Sequence, residues 1–309
     1  MIAALLVPLL MPFAAPALAR WAAPRLRPVA AMWALTATAC VLAAGWLAAL
    51  GALLLAGTLT VSAVARLGHL IHPLGVAPAV VSGPVTVFAL GALAVCGRAV
   101  IRSVLFQLRQ YRTARGHLRD ATTAGDLSIL DRPEADAYAL PGNPGRVVVT
   151  SGMLRSLDGP EREALLAHER AHLTGRHHYF LAAADLATRC HPAMGGLRDA
   201  VGLAVERVAD EAAAETVGDR GLTARAIGRA ALAGRAGSSR PGFAASAVGG
   251  PVPKRVRAML GPAPVPHRLA TAAAGLLLAC SVAAGAEATA GLVSLHHTVE
   301  IAQGELHDG

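Results

Sequence analysis

The stretch Ala167-His168-Glu169-Arg170-Ala171-His172 decides how the rest of the chain is read. Residues four apart lie on one face of an α-helix, so His168 and His172 can grip one metal ion together, and Glu169 can reach a water on that ion. The residues just before it read as a helix start. Asp158 or Gly159 can cap, Pro160 suits the first turn, and Glu161 and Glu163 sit at the positive end of the helix. The spacing predicts a ligand helix over Pro160 to Leu173, closing near Gly175. An ordinary helix with two surface or core histidines is the plainer alternative.

A catalytic zinc takes three protein ligands and leaves one position open. The pair above supplies two. Glu206, Asp210, Glu211 and Glu215 on the next long helix are candidates for the third, as are His177, His178 and His191. The run Glu206-Arg207-Val208-Ala209-Asp210 is the most informative, because Glu206 and Asp210 share a helical face. One of them can bind metal while the other supports a ligand histidine from behind. The alternative is that these acids form a solvated face or pair with Arg207.

The 309-residue chain has a mean hydropathy of +0.48, too high for an ordinary soluble protein, which predicts membrane spans. The net charge is +8, and Lys254 is the one lysine among many arginines. So basic a chain can bind nucleic acid, but aromatic residues are few and no nucleic-acid motif is visible. A basic membrane-facing surface is expected instead, with no nucleic-acid partner. The four cysteines, Cys40, Cys96, Cys190 and Cys280, form no CxxC pair, so neither a thiolate metal site nor a disulfide framework is expected.

Met1 to Ala19 is apolar and uncharged, long enough for a span. Ala17-Leu18-Ala19 resembles a signal-cleavage site, but no basic residue precedes the segment and Arg20, Arg25 and Arg27 follow it. A second span is expected over Ala31 to Leu55 and a third over Ala79 to Cys96. Between them, the segment from Gly68 to Pro78, with His69 and His72, reads as an interfacial loop. The basic stretch from Arg98 to Arg119 is expected to continue the third span as a helix along the membrane surface. A fourth span is expected over Leu269 to Ala286, before a short tail. Arginine placement puts both termini outside and the central region in the cytoplasm. The expected organisation is a membrane region over 1–98, a soluble catalytic domain over 99–267, and a C-terminal span with a short extracellular tail over 268–309.

Within the central region, Ser128 to Leu130, Ala135 to Leu140 and Arg146 to Thr150 read as strands between Pro- and Gly-rich turns. Helices are expected over Gly152 to Leu157, the ligand segment, Tyr179 to Thr188, Met194 to Val217 and Thr223 to Ala233. Gly234 to Pro253 reads as a mobile loop. The strand Val147 to Thr150 has two readings: it can pair with an extended substrate by strand addition, or it can be a buried strand.

His168-Glu169-Arg170-Ala171-His172, then Arg176-His177, then Glu206-Arg207-Val208-Ala209-Asp210, resembles the membrane zinc metallopeptidases of the gluzincin type. These include the HtpX-like heat-shock proteases, the CAAX prenyl endopeptidases and the BlaR-type sensor peptidases. Ala139-Leu140-Pro141-Gly142, Val147 to Leu154, and Arg255 to Leu260 extend the likeness over about 126 to 260. The resemblance implies a mainly α integral membrane protein with four transmembrane helices and a cytoplasmic zincin-like α+β domain containing a small sheet. It implies Zn2+ as cofactor, His168, His172 and Glu206 as metal ligands, Glu169 as general base, and Asp210 behind a ligand. His177 is a candidate for a substrate or oxyanion contact, with His178 and Arg207 as others. The expected partners are a protein or peptide substrate, the lipid bilayer and a regulatory protein. The expected activity is peptide hydrolysis, in repressor cleavage or in membrane quality control. The BlaR-type extracellular penicillin-binding sensor has no counterpart here, so direct β-lactam sensing is not expected. The competing reading is a catalytically inactive membrane binding or signalling protein with a degenerate peptidase domain, and intact His168, Glu169, His172 and Glu206 argue against it.

Overall fold

The computed structural model describes residues 2–59, 79–234, 251–262 and 268–303. The interfacial loop expected around His69 and His72, and most of the mobile loop expected from Gly234 to Pro253, lie outside the described residues. Three long helices come first: α1 (Ile2–Ala22), α2 (Pro28–Thr58) and α3 (Ala79–His117). A small sheet follows, of β1 (Thr122–Ala124), β2 (Leu127–Leu130), β3 (Ala137–Leu140) and β4 (Arg146–Thr150). Then come α4 (Ser151–Ser156), α5 (Gly159–Thr174), α6 (His177–Cys190), α7 (Gly195–Val217), α8 (Arg220–Gly234), α9 (Val252–Leu260) and α10 (Arg268–Gln303).

The fold is mostly helical with a mixed four-stranded sheet in the order β1-β2-β4-β3. β2 pairs with β4 in parallel, and β1–β2 and β3–β4 are antiparallel. The sheet is covered on both faces. Ala137 and Val149 pack with Met153, Leu165 and Ala230 on one side; Tyr138, Leu140 and Val148 pack with Ala114 and Tyr111 of α3 on the other. This alternation follows from the period-2 geometry of a strand. β4 is an inner strand with neighbours on both edges, so of its two sequence readings the buried strand holds. Strand addition at β4 is overturned, because its backbone donors and acceptors are already used.

Two helices, α2 and α3, are long and apolar enough to cross a membrane by length and composition. Four were expected. α1 and α10 do form helices where the first and fourth spans were read, but among the described residues neither meets that measure. α10 also runs on past Ala286 to Gln303. The basic stretch after the third span is helical as expected, continuous with the apolar part in the single helix α3.

The largest buried cluster joins α1 and α2 to α6 and α7. Ala15, Ala19, Leu35, Ala39 and Leu42 meet Ala184, Ala187, Met194, Leu197, Val201 and Val205. Small residues on these faces let the helix axes approach closely. A polar knot locks α3 to α6 and α7: Asp185 accepts from Ser103 at 2.7 Å, Gln107 at 3.2 Å and Arg189 at 3.1 Å, and pairs with Arg198 at 3.2 Å. All four cysteines are free.

Candidate metal centre

The helix that carries the two histidines starts on a capping box. The Asp158 carboxylate accepts from the Glu161 backbone N–H at 3.0 Å, and the Glu161 carboxylate accepts from the Asp158 N–H at 3.1 Å. The two bonds satisfy donors that the first turn would otherwise leave open. Gly175 caps the other end, and Arg176 then takes a left-handed backbone (φ 49°) that turns the chain directly into α6. That tight turn brings His177 back over the helix. A side chain at Gly175 would run into the His177 ring.

His168, Glu169 and His172 are all buried on α5. Glu206 and Asp210, expected on the next long helix, lie on α7, which packs directly against α5. His168 Nε2 and His172 Nε2 are 3.1 Å apart, and the Glu206 carboxylate lies 3.6 Å from the first and 3.7 Å from the second. A tetrahedral zinc with arms of about 2.0–2.1 Å places its ligand atoms roughly 3.3 Å from one another. The three donors therefore fit such an ion in spacing and in kind. Among the described residues they are the one group of three such side chains that could hold a metal.

Each candidate ligand is held from behind. His168 Nδ1 stands 3.0 Å from the Asp210 carboxylate, at ion-pair distance though off the line of a straight hydrogen bond. His172 Nδ1 shares a 2.8 Å hydrogen bond with His177 Nδ1. These contacts leave both Nε2 atoms facing the common point, the usual outer arrangement for metal-binding histidines. Arg255, fully buried on α9, closes the network. It donates to both Asp210 oxygens at 2.9 and 2.6 Å and stands 2.8 Å from Glu206 Oε2.

The electrostatics follow from this arrangement. Burial would lower the His168 pKa, but the Asp210 and Glu206 carboxylates outweigh it and raise it to about 9. Burial and the neighbouring His168 push His172 well below its ordinary value. Burial and His168 lower His177 to about 4. Asp210 is held below the usual carboxylate range: burial opposes ionisation, and Arg255 and His168 more than offset it. Arg255 is raised despite its burial, by Glu206, Asp210 and Glu169.

The other sequence candidates fall elsewhere. Glu211 pairs with Arg220, and Glu215 is exposed. His178 lies half-buried beside Tyr179. His191 sits between Phe13 and Trp46. Arg207 donates to the carbonyls of Ala23 and Pro24. The reading of the α7 acids as a solvated face fails for Glu206 and Asp210, which are 5% and 1% exposed. His177, a candidate for a substrate or oxyanion contact, shares a hydrogen bond with His172 through Nδ1. Sequence reasoning gave no role to Arg255. Its one available signal is that Arg255 shares a helical face with buried Met259, which places a charge on the inner face of α9.

A model of peptidase family M48 matches residues 119–194. The match runs from the sheet through α5 and α6 and stops before Glu206. It covers well under half of the chain, and it supports the resemblance to the membrane-type zinc metallopeptidases. No curated protein and no solved structure matches the chain.

Proposed function

We propose that this protein is an integral-membrane, zinc-dependent endopeptidase that hydrolyses peptide bonds in cytoplasmic or juxtamembrane proteins. The observation that carries the reading is the convergence of His168 Nε2, His172 Nε2 and the Glu206 carboxylate of α7 on one point, beside buried Glu169 on α5. The family match supports metallopeptidase chemistry, and the donor set suits zinc.

His168, His172 and Glu206 would hold the ion. When bound, zinc supplies Lewis-acid polarisation of the scissile carbonyl and activation of water. Glu169 accepts a proton from the attacking water at its carboxylate and delivers it to the leaving amine. Asp210 and His177 keep the ligand rings in place through Nδ1, and Arg255 holds Asp210 and Glu206 in register. We read α1, α2, α3 and α10 as four membrane spans, with residues 99–267 on the cytoplasmic side. The apolarity of α2 and α3 and the arginine asymmetry support this.

The test is metal content of the detergent-purified protein, with cleavage of an unfolded reporter protein measured beside it. Wild type should hold about one zinc per chain, lost or much weakened in His168→Ala and Glu206→Ala. Glu169→Gln should keep the zinc and lose at least about a hundredfold in cleavage rate. Retained zinc in Glu206→Ala would mean another third ligand. A wild-type chain that takes up no zinc when supplied with it would end the enzyme reading and leave the binding-module alternative.

A further inference from the structure

We infer that the groove between α8 and α9 is a docking site for an amphipathic helix of a partner protein, one that carries acidic residues beside its apolar face. The docking stands on the groove itself. Only its orientation to the bilayer rests on the membrane-spanning reading above.

α8 and α9 lie antiparallel: Arg220 at the start of α8 donates to the carbonyls of Ala258 at 2.9 Å and Met259 at 3.3 Å, near the end of α9. Their inner faces close on each other and on α7 through Ala214, Ala224, Ile227 and Met259. Their outer faces diverge. Gly228, Ala231 and Leu232 face Val252, Val256 and Leu260 across a groove of about 500 Å³. Outside the four long helices α1, α2, α3 and α10, the described residues include three exposed large apolar side chains, Tyr179, Leu232 and Leu260. Two of the three stand here, one on each wall, at 69% and 68% exposure. Gly228 keeps the floor open. A glycine inside a helix costs about 1 kcal/mol relative to alanine. No close contact requires it, since a Cβ at Gly228 would meet nothing within 4 Å. An exposed apolar groove between two helices is the shape that receives an amphipathic helix, anchored by side chains at i, i+3 or i+4, and i+7.

Charge selects the partner. Arg257 lines the groove, Lys254 flanks it one turn earlier on α9, and Arg225 shares a stripe of α8 with Gly228 and Leu232. The other α8 arginines, Arg220 and Arg229, are taken up by Glu211 and Glu161. Arg225, Lys254 and Arg257 are exposed and pair with no carboxylate among the described residues. Such a rim favours acidic residues beside the apolar anchors and disfavours basic ones. The chain's own connection between α8 and α9 carries Arg235 and Arg240 and no acid, so it offers the rim the wrong sign.

An anionic bilayer surface has the right sign, but α9 is oriented wrongly for it. Basic amphipathic helices bind membranes lying in the interface plane. Arg207 of α7 donates to the carbonyls of Ala23 and Pro24, where α1 turns into α2. From that level α7 runs on past Asp210 and Ala214. α9 follows it in the same direction, with Arg255 at Asp210 and Met259 beside Ala214. The groove therefore points away from the cytoplasmic end of the first two spans, with Arg257 and Leu260 at its far end. The same helix ties the groove to the candidate metal centre. From its opposite face Arg255 holds Asp210 and Glu206, so a segment in the groove is about one helix diameter, roughly 10–12 Å, from the candidate ligands. A substrate or regulator that presents an acidic amphipathic helix would be held beside the site.

The test is fluorescence anisotropy with the full chain in phosphatidylcholine nanodiscs. The probe is a fluorescein-labelled helix of about 18 residues built from leucine, alanine and glutamate, with leucines at the anchor spacing. Its companion has lysine at every glutamate. The glutamate probe should bind at least about tenfold more tightly than the lysine probe, and more tightly than it binds empty nanodiscs. Gly228→Leu, which fills the floor, and Leu260→Glu should each weaken it about tenfold or more. Lys254→Glu combined with Arg257→Glu should exchange the preference, so that the lysine probe binds more tightly. A folding defect would not produce that exchange. If the glutamate probe binds no better than to empty nanodiscs, or binds Gly228→Leu and Leu260→Glu as it binds wild type, the inference falls. It falls too if binding appears only after residues 236–249 are replaced by a short glycine-serine linker, which would assign the groove to the chain's own connection. Bimane at Leu260→Cys quenched by doxyl groups on lipid chains would assign it to the bilayer, and a dimer in detergent broken by Leu260→Glu would assign it to a second copy; either overturns the inference. None of these readouts uses zinc or cleavage, so failure here and failure of the peptidase reading are told apart.

Discussion

The two halves of α7 bury their inner faces by opposite means. In the first half Leu197, Ala200, Val201, Ala204 and Val205 lie against apolar residues of α1 and α2. In the second half Glu206 and Asp210 are as deeply buried, but against His168, His172 and Arg255. The apolar half needs only side chains of suitable size at helical spacing. The polar half needs each partner present, because removing one leaves a buried charge unsatisfied. The helix thus couples a tolerant packing surface to an intolerant network.

That contrast can be broken by substitution. The largest effect on stability is expected from Arg255→Ala, which strands Glu206 and Asp210 and should cost about 3–5 kcal/mol of unfolding free energy in detergent. Arg255→Lys should recover little of it, since an ammonium cannot reproduce the two-pronged bond to Asp210. If Arg255→Ala unfolds with the wild-type midpoint, the network is not a stability element and the contrast collapses.

A pH profile of the metal-free protein sharpens the same point. His168 has its folded pKa raised to about 9, so the stabilisation it draws from Asp210 and Glu206 is whole below its ordinary value near 6.5. It is lost as pH rises through about 9. The thermal midpoint should therefore fall between pH 7 and 10, and Asp210→Asn should flatten the profile. Zinc requires the neutral ring, so uptake at pH 7 should release about one proton, which calorimetry in buffers of different ionisation heat would count. A flat wild-type profile with no proton release would mean that His168 is already neutral.

In the apolar half, Leu197→Met conserves volume and should cost less than about 1.5 kcal/mol, with metal content unchanged. A larger loss would show that this half is as exacting as the other. The smallest effect is expected at the helix start, where Asp158→Ala removes one side of the capping box and should cost about 1 kcal/mol. Metal content should again hold, because Glu169 and the ligands sit beyond the first turn.

Much of the structure was legible locally. The start of α5 at Asp158, its end at Gly175, the long α7 and the strand β4 are all written within a few residues of capping, turn and periodicity signals. β1 and α9 were not read, since three exposed residues and a short run between loops carry little periodic signal. Spacing alone leaves the third ligand open among seven side chains, because it does not say which turn meets His168, and it is the family resemblance that points to Glu206. The packing of α7 on α5 brings Glu206 beside the two histidines and places Asp210 behind the His168 ring.

The two-histidine helix, the apolar segments and the acidic pair at helical spacing follow from local sequence, because each depends on contacts between near neighbours along the chain. That His177 backs His172, that β4 is an inner strand, and that Arg255, 45 residues from Asp210, ties the site together comes from packing between distant elements. Those outcomes depend on which faces meet across long loops, and no local pattern of residues encodes that meeting.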